Sequence, residues 1–584
     1  MNSCKRIAGK VTAGLMERGA PVGATTSSDP GNRRRYCAGS LVLAAVCTLS
    51  LVGCAVGPDY VPPQLEVPAH WSNRKHARPT APTHLKEWWR RLRDPVLNAL
   101  IDEAVAGNLN VATAMARVRE SRASYRQIVA GLLPTISGRA AATRSSTGDV
   151  AVSPPNVPSL EATPGNSAGG VDQTGNFFRV GFDASWELDL FGANRRNAEA
   201  AWYGMEAAEK QLDAALLTLI GDVATAYVNA RGHEARIALA RRTAQAQRET
   251  AALTQTRFAA GAVSAVDLSN AEGLASSTEA NIPAIEILHA NALNRLGVLI
   301  GREPAAVVGL LRGGAPIPSP RLPIATGVPA DILSSRPDVR LAERQLAEAT
   351  ARIGQAEAAR YPNVSLTGNI ITSGTKIGDL GKNSSIGWSF GPTLTVPIFN
   401  AGRLAAAVDV AGARRDQQFL AYRSIVLTAL EEVENAILAL VKGRIRGEKL
   451  AASVTSYREA ATLSRSLYQG GSASFLNVLD AQRSLYGAEE ALIQTRIAIA
   501  TDYIALHKAL GGGWDGMLDV SRPEIIDGNT APHVPLPWND SRRDLHGRGG
   551  GSSSSINYRD VRVHNSLPQR APTQPRTSRR AGSS

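Results

Sequence analysis

Cysteine is almost missing from this chain, and its placement says more than its scarcity. The four cysteines are Cys4, Cys37, Cys47 and Cys54, so the last 530 residues (584 − 54) contain none. That excludes an internal disulfide framework and a cysteine metal site from the bulk of the chain. Histidine is nearly as sparse: there are nine, and His233, His289 and His507 stand singly on stretches of helical spacing. No His-x-x-x-His pair, Gly-rich phosphate loop or Gly-x-Ser-x-Gly elbow is present. Neighbouring carboxylates such as Glu431-Glu432 point to different sides of a helix and do not share a substrate. These absences argue against an enzyme and against any metal or bound cofactor.

Excess charge is also confined. The formal net charge is +13, but residues 521–584 hold 10 Arg against 5 acids, and residues 1–53 hold 7 basic against 2 acidic residues. Each end therefore carries +5, which leaves 13 − 10 = +3 for the part between them. A basic surface for nucleic acid is not implied. The region 516–584, rich in Ser, Arg, Pro and Gly, lacks the apolar residues to offset ordering entropy and reads as a disordered basic tail.

At the other end, Arg33-Arg34-Arg35 precedes an apolar run from Tyr36 to Val52 that closes on Leu51-Val52-Gly53-Cys54. A charged region, a short apolar region and small residues before a cut describe an export signal over residues 1–53. Residues 1–32 make a long lead, which points to a start codon placed upstream of the true one or to an extended charged region. Leu-Val-Gly-Cys resembles a lipobox, which makes Cys54 the lipidated first residue of the mature chain. Several acyl chains give a stable anchor where one is marginal. The next residue is Ala55 and not the Asp of inner-membrane retention, so the outer membrane is expected.

Proline is missing from two stretches of more than sixty residues each, beginning near Phe191 and Phe399. Each ends in a glycine turn, Phe258-Ala259-Ala260-Gly261 and Tyr468-Gln469-Gly470-Gly471. Phe258, Gly261, Ser264, Leu268, Ala271 and Glu272 match Tyr468, Gly471, Ser474, Val478, Ala481 and Gln482 at one offset (471 − 261 = 210). A constant offset of that size marks a duplicated unit. Apolar residues at Leu212, Leu216, Leu219 and Val223, and at Tyr422, Val426, Leu430 and Val433, recur at helical steps. The first helix is expected from Ala193 to Ala259, roughly 100 Å at ~1.5 Å per residue. On periodicity alone, a coiled-coil rod remains open.

Before each long helix lie a shorter helical segment and two strand candidates. Asp94 to Gly131 and Pro337 to Arg360 have helical spacing and end at Leu133-Pro134 and Tyr361-Pro362. Strands are expected at Thr135–Thr143, Phe177–Leu190, Asn363–Ile371 and Ser385–Phe399. Phe178, Val180, Phe182, Ala184, Trp186 and Leu188 alternate with Arg179, Asp183 and Glu187, while Trp388, Phe390 and Leu394 alternate with Ser389 and Thr393. One apolar and one polar face over ~10 residues suits a barrel with lipid outside and water inside; a two-sheet sandwich is the alternative. Four strands cannot close a barrel, so closure requires further copies. The loops Arg144 to Asn176 and Ser373 to Ser384 read as long outer loops, and Pro304 to Pro329 as the connection between repeats.

Several short motifs now combine. Cys54-x-Val56-Gly57-Pro58-Asp59-Tyr60 is followed by Trp88-Trp89 and Asp94-Pro95-x-Leu97. Ser335-Arg336-Pro337-Asp338-Val339-Arg340, Ile353-Gly354-x-Ala356 and Phe475-Leu476-x-Val478-Leu479-Asp480-Ala481-Gln482-Arg483 come later. Together, over about residues 54 to 515, the sequence resembles the outer membrane factors of the TolC/OprM/NodT kind.

That resemblance implies a mainly α fold with a β-barrel portion. Duplicated long hairpins form a periplasmic α-barrel, and four strands per protomer complete a trimeric 12-stranded outer membrane β-barrel. The expected organisation is a first efflux repeat at 54–310, a linker at 311–328 and a second repeat at 329–515. The implied function is passive conduction by an outer membrane channel lipoprotein. Its partners are a periplasmic adaptor and an inner-membrane pump of the resistance-nodulation-division type. A type I secretion duct and a lipid-anchored periplasmic scaffold without a pore are the alternatives. Leu476, Asp480 and Arg483, spaced i, i+4, i+7 on one helix stripe, fall where the family has its periplasmic constriction. Gly261, Ser264, Gly471 and Ser474 shape the hairpin tips where an adaptor docks.

Overall fold

The computed structural model describes residues 55–72, 86–147, 173–309, 311, 314–320, 335–516 and 518. The export signal, Cys54, the outer loop at 148–172, most of the linker and the basic tail lie outside the described residues.

A strap, Ala55–Tyr60, leads in. Next come a 3-10 turn at Trp88–Leu92, helix α1 (Pro95–Gly107) and helix α2 (Leu109–Ala130). The segment expected as one helix is thus two, and Asn108 divides it. Its backbone N–H donates to the Ala104 carbonyl, while its side-chain oxygen accepts from the N–H groups of Asn110 and Val111 at 2.9 and 3.1 Å. Tertiary approach forces the break, because a Cβ on Gly301 would lie 2.1 Å from the Gly107 carbonyl oxygen. Asn108 also donates to the Leu299 carbonyl at 2.8 Å, fixing the corner.

Strands β1 (Thr135–Thr147) and β2 (Gln173–Leu188) follow, then the long helix α3 (Ala193–Ala259) and α4 (Ala265–Leu299). A short helix α5 (Pro304–Val308) occupies the start of the segment read as a connection. The second copy is α6 (Pro337–Ala358), β3 (Asn363–Gly374), β4 (Ile386–Thr395), α7 (Arg403–Gln469) and α8 (Phe475–Ala509). The long helices are both 67 residues and their partners both 35, each pair displaced by 210 (403 − 193; 475 − 265). The shorter helices α2 and α6 are both 22 residues but displaced by 228 (337 − 109), so the first strand hairpin holds 18 more residues than the second.

The strands form one antiparallel sheet in the order β1-β2-β3-β4. The first strand hairpin extends further outward than alternation predicted, through Thr147 and Gln173, and β3 runs on to Gly374 by pairing with β2, while β4 begins at Ile386 and not Ser385. β4 stops at Thr395 and not Phe399, since its partner β3 begins opposite at Asn363 and leaves 396–399 nothing to pair with.

The largest core is a belt around the middle of α3, where Leu212, Leu216, Ile220 and Tyr227 pack against Trp88 and Trp89, α1 and the ends of α4 and α8. Buried ions tie this belt to the rest. Arg336 reaches both oxygens of Asp338 at 3.0 and 2.6 Å, Glu432 at 2.6 Å and the Ala509 carbonyl at 3.0 Å. Arg196 holds the strap through the Val56 and Gly57 carbonyls and Asp59. Such satisfied arginines fix geometry, and removing one partner is costly because it strands a buried charge.

His507 is buried at the end of α8, stacked on Trp88 with ring centroids 5.2 Å apart. Burial pushes its imidazole down to about 4, the Tyr503 carbonyl acting in the opposite direction. The folded state therefore holds the neutral ring, whereas the unfolded chain takes up a proton below the ordinary value of 6.5. This contribution to stability is complete above about pH 6.5 and falls by roughly 3 kcal/mol as pH drops towards 4. Thermal unfolding of the wild type in detergent should steepen in its pH dependence over that window relative to His507→Phe. Parallel curves would contradict it.

Candidate functional site

Both hairpins end in the same chain reversal. Gly261 and Gly471 have φ of 73° and 77°, the left-handed region that glycine reaches without strain. The Ala262 N–H donates to Arg257 and the Ser472 N–H to Leu467, closing the last helical turn in each copy. A Cβ on either glycine would meet nothing within 4 Å, so both tips face open space. Ser264 starts α4 with a capping box, accepting from the Asp267 N–H at 3.2 Å while Asp267 accepts from the Ser264 N–H at 3.1 Å. Ser474 starts α8 with no side-chain cap bond. The residue three positions on is Asn477, and not the Asp of the first copy.

Beside the tips is a small second core of Ala251, Ala271, Tyr468, Phe475, Val478 and Leu479. Burial of Phe475, Val478 and Leu479 turns the opposite stripe of α8 outward. On it stand Leu476, 57% exposed, with Asp480 and Arg483, both exposed. Neither charge forms an ion pair among the described residues. The structure places all three on one outward stripe and sets their charges free to meet another chain.

Contacts that periodicity could not reveal fasten the two hairpins to each other. Arg257 donates to the Gln469 carbonyl at 2.8 Å and lies 4.5 Å over the Tyr468 ring. The Tyr468 hydroxyl meets the Thr254 hydroxyl at 3.1 Å, and Gln482 donates to Thr250 at 3.1 Å. Arg465 and Gln245 beside it hold the exposed Glu249 carboxyl below its usual value. The 210 offset also pairs Leu476 with Val266, 67% exposed at the start of α4. Val266 is a second aliphatic at the equivalent place, and applying the repeat to Leu476 would have found it. Asp480 and Arg483 map onto Asn270 and Gly273, so the charged pair belongs to one hairpin only.

At the other end of the helices, cross-strand register places Phe182, Ile370 and Trp388 side by side, with Ala184, Gly368 and Phe390 on the same face. Phe182, Ile370, Trp388 and Phe390 are 60, 50, 77 and 70% exposed. The opposite face carries Arg139 near Asp183 at 3.5 Å and Asn363 donating to Glu187 at 2.8 Å. One uncovered face dominated by apolar side chains and one face carrying ionic groups suit the two sides of a wall between lipid and water.

The family described as Outer membrane efflux protein matches residues 100–302 and 328–512. The chain is 34% identical to Nodulation protein T of Rhizobium leguminosarum bv. trifolii over 477 residues, covering 80% of this chain and 96% of that protein. It is 32% identical to the toluene efflux pump outer membrane protein TtgI of Pseudomonas putida, covering 80% of this chain and 97% of the relative. Among solved structures, it is similar to the open state of the Neisseria gonorrhoeae MtrE outer membrane channel. The TM-score there is 0.67 at 31% identity, covering 79% of this chain and 99% of that one.

The tip core makes a direct prediction. Tyr468→Ala removes a buried ring and both its polar contacts, and should cost about 3–5 kcal/mol locally. Leu476→Ala, on the open stripe, should stay within about 0.5 kcal/mol. Amide exchange of the tip segments checks this, and equal effects of the two substitutions would refute the division into inner and outer stripes.

Proposed function

The chain belongs to the outer membrane efflux protein family, and from that premise we propose how its own geometry conducts. It is an outer membrane channel that extends into the periplasm, the exit duct of a tripartite efflux pump. The observation that carries the reading is one sheet with apolar and ionic faces joined to hairpins whose tips bear an unpartnered Leu476, Asp480 and Arg483 stripe.

Three copies supply 4 × 3 = 12 strands, enough to close a barrel with the apolar faces outward. The helices continue the wall into the periplasm. At their tips, three Leu476 side chains narrow the bore, and Asp480 and Arg483 of adjacent copies link across it. Opening breaks those links, and the exposed tips around Gly261, Ser264, Gly471 and Ser474 are where a periplasmic adaptor engages. An inner-membrane pump of the resistance-nodulation-division type supplies the energy, while the duct itself conducts passively and needs no catalytic group. The relative named for toluene efflux favours small toxic organic compounds as cargo over secreted protein.

The lipid fits this arrangement. Ala55, next to Cys54 in sequence, packs against Gly192, and the Val56 N–H donates to the Phe191 carbonyl at 3.1 Å. The strap therefore begins at the base of the sheet, where acyl chains on Cys54 enter the inner leaflet.

Ion pairs at a wet aperture contribute ~0.2–1 kcal/mol each. Three broken pairs shift the open population by roughly 3- to 150-fold. Asp480→Ala combined with Arg483→Ala should therefore raise conductance in planar bilayers within that range. A variant with unchanged current would place the constriction elsewhere.

A further inference from the structure

Midway along the first hairpin is a half-buried ionic joint between α3 and α8. Arg236 on α3 donates to Glu490 on α8 at 2.6 Å, and each side chain is only 17% exposed. Gln494 donates to the same carboxylate oxygen at 2.8 Å, and the second oxygen is buried with no partner among the described residues. One turn back, the His233 Nδ1 is 3.4 Å from the Arg236 guanidinium. The charged and titratable groups acting on the His233 ring are Arg236 on its own helix, His289 on α4 and Glu490 on α8. Burial, Arg236 and His289 all hold the imidazole below its ordinary value, and Glu490 alone opposes them.

The second hairpin shows what this position looks like without the joint. The residues at the same offset are Gly443 and Ile499 (233 + 210; 289 + 210). A Cβ on Gly443 would lie 3.3 Å from the Ile499 side chain and 3.9 Å from an Asp502 carboxylate oxygen, so these two positions face each other closely and without an imidazole. The first copy instead has two imidazoles within electrostatic reach of each other, one of them beside an arginine.

We propose that His233, His289, Arg236 and Glu490 form an acid-sensitive clasp that loosens the first hairpin, and its junction with the second, when the periplasm acidifies. A proton on His233 places a cation against Arg236 and in competition with it for Glu490. The groups opposing that cation outnumber the one favouring it, so relief comes from parting α3 from α4 and weakening the Arg236–Glu490 bridge. Only the consequence, an easier opening of the aperture in acid, rests on the channel reading.

Amide hydrogen exchange on the full-length protein tests the clasp independently of conduction. On moving from about pH 7.5 to about pH 5.5, across the histidine range, exchange corrected for intrinsic rate should rise several-fold in residues 283–295 of α4. Residues 340–352 of α6, which contain no histidine, should change little, a comparison made within one molecule. His233→Gln with His289→Gln should remove the difference. An equal response in α6, no response in the first hairpin, or an acid response retained in the variant would each overturn the proposal. Conductance that stays flat with pH while exchange responds would instead count against the channel reading.

Discussion

A sheet edge cannot be left open in hydrocarbon. Each unpaired backbone N–H or C=O there costs several kcal/mol, and no water is available to satisfy it. This chain folds one antiparallel sheet of four strands with β1 and β4 as its edges, and its apolar face is uncovered. Every other feature follows from how those edges are closed. β1 and β4 run in opposite directions, so in the proposed trimer β4 of one copy would meet β1 of the next in the same antiparallel sense and continue the alternation around a ring. Because α3 and α7 follow the strands, copies joined through strands in the proposed trimer would also be joined through roughly 100 Å of helix.

The duplication indicates how that helical joint is made. Within one chain, α3 of the first repeat packs on α8 of the second. A Cβ on Gly232 of α3 would collide with the Ile497 side chain of α8, so the two helices touch closely there. The repeat-related surfaces are α7 and α4, and these are where aliphatics lie uncovered. Leu217 and Val228 on α3 are 6% and 0% exposed, whereas Leu427 and Leu438 at the same places on α7 are 59% and 42% exposed. The chain uses one seam internally and leaves its counterpart uncovered, the surface the proposed trimer would bury. The tips depart from the repeat in the Asp480 and Arg483 pair, which appears only on α8, and the middle departs from it in His233 and His289, which appear only on the first hairpin.

Much of this was legible because it is periodic. The bounds Ala193 and Ala259 could be read from an unbroken helical spacing between a glycine at one end and a glycine turn at the other. The paired strands were visible in the alternation of Phe182 and Trp186 with Asp183 and Glu187. What sequence could not reveal depends on contacts distant in the chain. Asn108 breaks a regular helical pattern because Gly107 must approach Gly301. Arg257 fastens the tips through a backbone carbonyl, which carries no residue signature. The family-like motifs Gly57-Pro58-Asp59, Trp88-Trp89 and Arg336-Pro337-Asp338 prove to be seams: they bind the strap, the belt and the end of α8. Leu476, Asp480 and Arg483 were placed on one stripe by spacing alone, and the burial of Phe475, Val478 and Leu479 explains why that stripe faces outward.

Closure by three copies is the central claim, and the repeat names the residues that test it. Gly232 and Ile497 map onto Lys442 and Ile287 (232 + 210; 497 − 210), both exposed in the single chain. Introducing Ile287→Cys together with Lys442→Cys and oxidising the membrane-embedded protein should link Lys442→Cys of one copy to Ile287→Cys of the next. The account predicts a covalent ladder that ends at three chains. Chains that stay monomeric, or a ladder that continues beyond three, would contradict it.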